Sequence, residues 1–178
     1  MGIQDRLIEK RIHKAILSHK GLKQNQVLLK LQKIFVFIDE ETTFNYEEFR
    51  YLRAKLQLDE THFTFLTYKQ KPSTINEFRG AVVLRNAINW QGNIRSKEVK
   101  SLLDANYDLL LDYTTADTIY KQLILSKVKA LLKVGYMHEN AGLYDFMIDV
   151  SRKDIRVFND ELLRYLSILG VLEVASNK

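Results

Sequence analysis

The chain contains no cysteine, a single proline and only seven glycines among its 178 residues. Without a thiol it has no disulfide framework, no cysteine-ligated zinc and no thiol nucleophile, a composition that fits a reducing compartment. Long apolar runs are also missing. The uninterrupted ones are strand-sized, well short of the ~20 residues of a spanning helix. The opening "MGIQDRLIEKRIHK" is too charged for a secretory signal, so a cytoplasmic protein is expected. Scarce glycine excludes more. Neither a GxGxxG nor a Walker pattern occurs, and the turn after the first apolar run, "DEETTFN", has no glycine to let a backbone approach a pyrophosphate. His13, His19, His62 and His138 show no paired metal-ligand spacing, and there is no GxSxG elbow. No catalytic residue, metal or cofactor is called for.

What is present is apolar content and unevenly placed charge. With 46% hydrophobic residues the chain can bury one core and is too short for two enzyme domains. Residues 1–35 hold eight Lys or Arg against Asp5 and Glu9, a net +6, whereas the other 143 hold 19 basic and 20 acidic residues, a net −1. The positive excess of the whole chain therefore lies in its first fifth, the natural segment to meet a polyanion.

In that segment Ile3, Leu7, Ile8, Ile12, Ala15 and Ile16 recur at spacings of three and four, which predicts an amphipathic helix ended by Gly21. "IFVFID" (34–39) reads as a central strand covered on both faces. Asn45, with Glu48 three residues on, predicts a helix start, and Tyr46, Phe49, Leu52 and Leu56 its buried stripe. Strands are expected at "THFTFLTY" (61–68), "AVVL" (81–84), "YDLLLDY" (107–113), "LLKVGY" (131–136) and "YDFMIDV" (144–150). Helices are expected at 97–104 behind Ser96, at about 116–128 and at 154–169. This alternation predicts an α/β fold: a three-layer, Rossmann-like sandwich with a mostly parallel sheet. The basic helical segment is 1–33 and the α/β domain 34–178.

Asp39, Asp112 and Asp149 each follow an apolar strand core, at the sheet edge where open parallel sheets take their ligands. Converging carboxylates there can hold Mg²⁺ beside a phosphorylated substrate or divide acid and base roles. An Asp after a strand also commonly ties a turn through backbone N–H groups. Asp108 and Asp145, at the far ends of their strands, cannot join such a cluster. His138, just after "KVGYM", reads as a surface or loop histidine, with a pocket-lining role as the alternative. The lone tryptophan, in "INWQG" (88–92), reads as a loop residue pinned onto the core, with an exposed stacking platform as the alternative.

From "NYDLLLDY" through "SKVKALLKVGY" the chain resembles the strand, helix, strand passage of the N-terminal domain of ADP-heptose:lipopolysaccharide heptosyltransferases, on Tyr107, Asp108, Asp112, Gly135 and Tyr136. That resemblance implies a nucleotide-sugar ligand, but the second sugar-nucleotide domain of those enzymes has no counterpart here. Over nearly its full length the chain is similar to an uncharacterised family of small bacterial proteins. The shared features are the basic first helix, the loop of Asn89, Trp90 and Gly92, "YDLLLDY", "SKVKALLKVGY" and "YDFMIDV". It implies one domain and no activity.

The expected function is non-enzymatic binding or scaffolding of RNA or a ribonucleoprotein, with Lys10, Arg11, Lys14, Lys20 and Lys23 on phosphates. The same helix could meet a protein partner or an anionic membrane surface. No aromatic is interleaved with residues 1–34, which favours structured RNA over single strands. The alternative is a small or degenerate transferase-like domain taking a phosphorylated or nucleotide-sugar ligand near Asp39, Asp112 and Asp149.

Overall fold

The computed structural model describes residues 2–22, 30–40, 42, 46–72, 80–115, 117–138, 141–152 and 154–172. Six strands, β1 (Ile34–Asp39), β2 (Phe63–Lys69), β3 (Ala81–Leu84), β4 (Asn106–Asp112), β5 (Lys129–Tyr136) and β6 (Phe146–Ile148), form one sheet in the order β3-β2-β1-β4-β5-β6. Every pairing is parallel. Five helices accompany them: α1 (Ile3–Leu22), α2 (Tyr46–Leu56), α3 (Lys97–Asp104), α4 (Ile119–Lys127) and α5 (Ile155–Ile168). The expected three-layer, Rossmann-like α/β fold is the observed one.

Strand alternation divides the core. Phe35, Phe37 and Leu110 face a layer built by Ile8 and Ile12 of α1, Val99 and Leu103 of α3 and Leu123 and Ile124 of α4. Their neighbours Ile34, Val36, Ile38, Leu109 and Leu111 face Phe49, Leu52 and Leu56 of α2 and Phe158, Leu162 and Leu166 of α5. A two-sided cover is why "IFVFID" is apolar at every position but its last. The capping side chains of Ser96, Thr118 and Asp154 accept N–H bonds at the starts of α3, α4 and α5.

Local details differ from the sequence reading. The first helix runs through Gly21 to Leu22. Tyr46 is exposed rather than part of the α2 stripe, and Asn45, its expected cap, lies outside the described residues. The helix expected from about 116 begins at Ile119, because Thr118 caps it. The largest difference concerns "YDFMIDV": only Phe146–Ile148 pair, at the sheet edge, so this strand is short and half-buried where "YDLLLDY" is central and buried.

The two phrases still share one physical device. Asp108 accepts the backbone N–H groups of Gln32 and Lys33 at 2.7 and 2.8 Å, and Asp145 that of Lys133 at 2.7 Å. Each leading aspartate thus grips the neighbouring strand where its own strand begins, supplying acceptors for amides the ladder leaves over.

Candidate functional site

The strand order reverses direction between β1 and β4, which leaves a crevice outside their carboxyl ends. Asp39 and Asp112 close these two adjacent strands, and both are buried. Asp149 follows the edge strand β6 and is exposed, so the structure brings two of the three strand-end acids together and leaves the third outside.

Each buried carboxylate is met by the chain itself. Asp39 accepts the Thr42 hydroxyl at 2.6 Å, the Thr115 amide at 2.9 Å and the ammonium of Lys121, which reaches in from α4 and is itself buried. Asp112 accepts the Thr114 amide at 2.9 Å, closing a turn, and the Tyr144 hydroxyl at 2.6 Å. Burial raises the Asp112 carboxyl above its ordinary value, and the bonds from Tyr144 and Thr114 only partly oppose it. Burial, then the adjacent Asp112 charge, likewise raises the Tyr144 phenol. Gly135 makes room for that phenol: a Cβ there would lie 2.9 Å from Tyr144 Cδ1 and nearer still to Cε1.

Beside Asp112 lies a small cleft lined by Asp117, Lys121, Tyr136, His138, Tyr144 and Arg152, among others, with a volume of about 10 Å³, room for about one water molecule. His138 Nε2 stands 2.9 Å from Asp117 Oδ2, and Gln122 donates to Oδ1 of the same carboxylate at 2.9 Å. Burial pushes Asp117 up, but the bonds from Gln122 and His138 outweigh it and hold its carboxyl below the ordinary range. Arg152 donates to the carbonyls of Thr115 at 2.5 Å and Met137 at 3.3 Å. The buried Tyr136 hydroxyl has no hydrogen-bond partner among the described residues. Those residues also contain no group of three or more His, Asp or Glu able to hold a metal ion. His138 lies in the loop after β5, and its largely buried side chain lines this cleft, the role the sequence offered as the alternative.

The basic candidates lie elsewhere, on the outer side of α1. Ile8 and Ile12 face α4 and the core, which turns Arg6, Lys10, Arg11 and Lys14 outward into solvent. Lys20 falls near the end of α1, and Lys23 lies outside the described residues. The layer of α1, α3 and α4 contains nine Lys or Arg and four Asp or Glu, a net +5, against five and four, a net +1, for α2 and α5. Of these, Lys121 is turned inward and paired with Asp39, so the outward excess of this layer is smaller by one. No helix among the described residues is long and apolar enough to cross a membrane.

One loop joins this layer. Trp90 is 59% exposed, so it does not pin its segment as the sequence suggested. The pinning falls to Ile88 and Ile94, which are buried and bridge one another, and to Gly92, whose φ of +78° seats its backbone against Leu123 and Ile8. Arg11 Nη1 donates to Asn93 Oδ1 at 2.7 Å, tying α1 to the Trp90 loop.

A family model matches residues 4–169, and its description is "Family of unknown function (DUF6913)". The chain belongs to that family. The match spans α1 through α5, so the basic helix and the strand-end acids are all within the shared unit. No curated protein and no solved structure matches the chain.

Proposed function

We propose that this DUF6913 protein is a non-enzymatic binding or scaffold protein that engages RNA or a ribonucleoprotein through the outward side of α1. The observation that carries the reading is the exposed row Arg6, Lys10 and Lys14, one helical turn apart, on the layer that holds the chain's positive excess. Ile8, Ile12 and Ile16 of α1 pack against the core, and its outward side presents the basic row beside the exposed Leu7 and Leu17. Arg11 is exposed beside that row, and the sequence adds Lys20 and Lys23 as further candidate phosphate contacts. Phosphate contacts of this kind release counterions, so affinity should fall steeply with salt.

The test is fluorescence anisotropy of a labelled RNA at several salt concentrations, with wild type and the triple variant K10E/R11E/K14E. Loss of three phosphate contacts should flatten the log–log salt dependence by about two on a single strand and weaken binding at every salt concentration. Circular dichroism checks that the variant keeps its fold. An unchanged affinity and slope in a folded triple variant would sink the reading.

A second reading is favoured by one specific observation, the Tyr136 hydroxyl, which has no partner among the described residues and lines a cleft at the carboxyl ends of β4 and β5, beside the switch point. In it the carboxyl edge near Asp39 and Asp112 takes a phosphorylated or nucleotide-sugar ligand, with Asp149 at the rim. Thermal-shift titration with nucleotides and nucleotide sugars tests it, since a ligand of the folded state raises its apparent stability. The absence of any shift at millimolar ligand would remove it.

A further inference from the structure

We propose that Trp90 and the Arg11 edge of α1 form a site for single-stranded nucleic acid, in which the indole stacks on an unpaired base while Arg11 and Lys127 meet the flanking phosphates. The proposal rests on the reading that the α1 layer binds RNA, and it specifies the strandedness, the anchoring residue and the contact that the charge row alone leaves open.

A large indole left 59% exposed contributes little to the core, yet the loop that presents it is tightly organised. The Asn89 carboxamide oxygen accepts the amides of Gln91 at 3.0 Å and Asn93 at 2.8 Å. The Asn89 amide donates to the Asn93 carbonyl at 3.0 Å, and the Gly92 amide to the Asn89 carbonyl at 2.9 Å. Added to the Ile88–Ile94 bridge and the Gly92 seat, these bonds fix the backbone on both sides of Trp90. Ordering of the platform is therefore met by folding and not by binding, which is the condition for a stacking contact to register as affinity.

Charge is placed beside it. The Arg11–Asn93 bond holds a guanidinium three residues from the indole in a chain reversal closed by the Asn89 and Asn93 contacts. Lys127, at the end of α4, lies within electrostatic reach of Arg11. Burial and then that guanidinium lower the Lys127 ammonium, and Asp104 only partly offsets them. The two cations lie on helices that pack together, and an anion set between them relieves their repulsion. Aromatic faces interleaved with such cations are the recurring arrangement of single-strand binders, because every base has a face to stack. The sequence of residues 1–33 lacks an aromatic, and the fold supplies one beside α1 from residue 90.

Trp90 is the only tryptophan, so emission excited on the red side of the tyrosine absorption band reports on it alone. The experiment titrates the full chain with a single-stranded oligouridylate, a duplex RNA and inorganic polyphosphate, reading tryptophan emission and anisotropy in parallel. The single strand should quench the emission at saturation, whereas polyphosphate should bind in a salt-sensitive manner without quenching. Trp90→Ala should weaken the single strand about 10- to 100-fold and Trp90→Phe much less, the range expected for losing one stacked base. Duplex and polyphosphate affinity should be unaffected by either. Saturating single-strand binding without quenching, or with unchanged affinity in Trp90→Ala, overturns the stacking site while leaving the charge reading in place. If none of the three polyanions binds, both fall.

Discussion

Replacing Lys121 with methionine should destabilise the protein by about 3 kcal/mol, because it strands a buried charge. Lys121 and Asp39 are 4% and 3% exposed, and their ion pair joins α4 to the end of β1. Methionine keeps the length of the aliphatic stem, which runs past Tyr68 with the ammonium 6.0 Å from the ring centroid, so lost packing is a small part of the effect. Breaking a buried pair by removing one partner costs about 3–5 kcal/mol. The lower end applies here, since Asp39 retains the Thr42 hydroxyl at 2.6 Å and the Thr115 amide at 2.9 Å. For a urea dependence of about 2 kcal/mol per molar, the unfolding midpoint should drop by about 1.5 M. The double variant D39N/K121M should recover much of the loss, because a neutral amide can stay in the Thr42 and Thr115 bonds without an unpaired charge. The assay is urea unfolding followed by circular dichroism for wild type, both single variants and the double. A loss under about 1 kcal/mol in K121M, or a double variant less stable than K121M, would show that the pair is not a buried, mutually dependent unit.

Gly135→Ala should force the Tyr144 ring off the β5 backbone and cost about 2–3 kcal/mol, combining a steric clash with loss of the Tyr144–Asp112 bond. Combined with Tyr144→Phe it should be clearly less than additive, since both remove the same hydroxyl contact; additive losses in denaturant unfolding would refute the shared cause. Asp112→Asn tests the raised carboxyl. A folded value above the unfolded one contributes stability that is complete below about pH 4 and is lost as pH rises through the folded value. The stability of wild type relative to the variant should therefore decline as pH is raised above 4 and then level off, and a difference that does not vary with pH would refute the shift. Asp108→Ala should leave the Gln32 and Lys33 amides without their acceptor, read as faster hydrogen exchange at those two positions with the β4 interior unchanged. Undiminished protection would mean that water replaces the carboxylate without loss.

The elements were legible because each carries a local signal: the all-apolar "IFVFID" of a doubly covered strand, the Ser96 and Asp154 caps, the three-and-four spacing of α1. Strand alternated with helix was enough for a parallel sheet. The crevice was legible only by half. Asp39 and Asp112 could be named from their strands, but their partners come from far along the chain, Lys121 being 82 residues from Asp39 and Tyr144 32 from Asp112. One signal was available and went unused: in "IYKQLILSK" a lysine sits within an apolar helix, where a buried cation needs an anion from elsewhere in the fold. Asp149 fails to join because β6 ends at Ile148 on the sheet edge, a property of pairing that no local pattern encodes. Trp90 was misjudged for the opposite reason. An aromatic in an irregular segment suggests an anchor, but the anchors are the aliphatic residues Ile88 and Ile94 on either side.

Helix α4 connects the two regions the fold makes available. Toward the sheet it sends Lys121 into the switch-point crevice to neutralise Asp39, so the place where such a sheet takes ligands is filled by the protein's own ion pair. Away from the sheet the same helix packs α1, supports Gly92 of the Trp90 loop through Leu123, and ends at Lys127. A ligand reaching deep into the crevice would have to displace Lys121 and leave either it or Asp39 unpaired, at the cost worked out above for breaking the pair. A strand of RNA on the site proposed above would break no buried ion pair, since Trp90 and Arg11 are already exposed and their loop is already ordered. That energetic asymmetry favours the helix layer over the crevice for the binding proposed above, and it gives the stability of K121M a second use. A variant that loosens α4 should blunt the Trp90 quenching as well, since the platform and the plug share one helix.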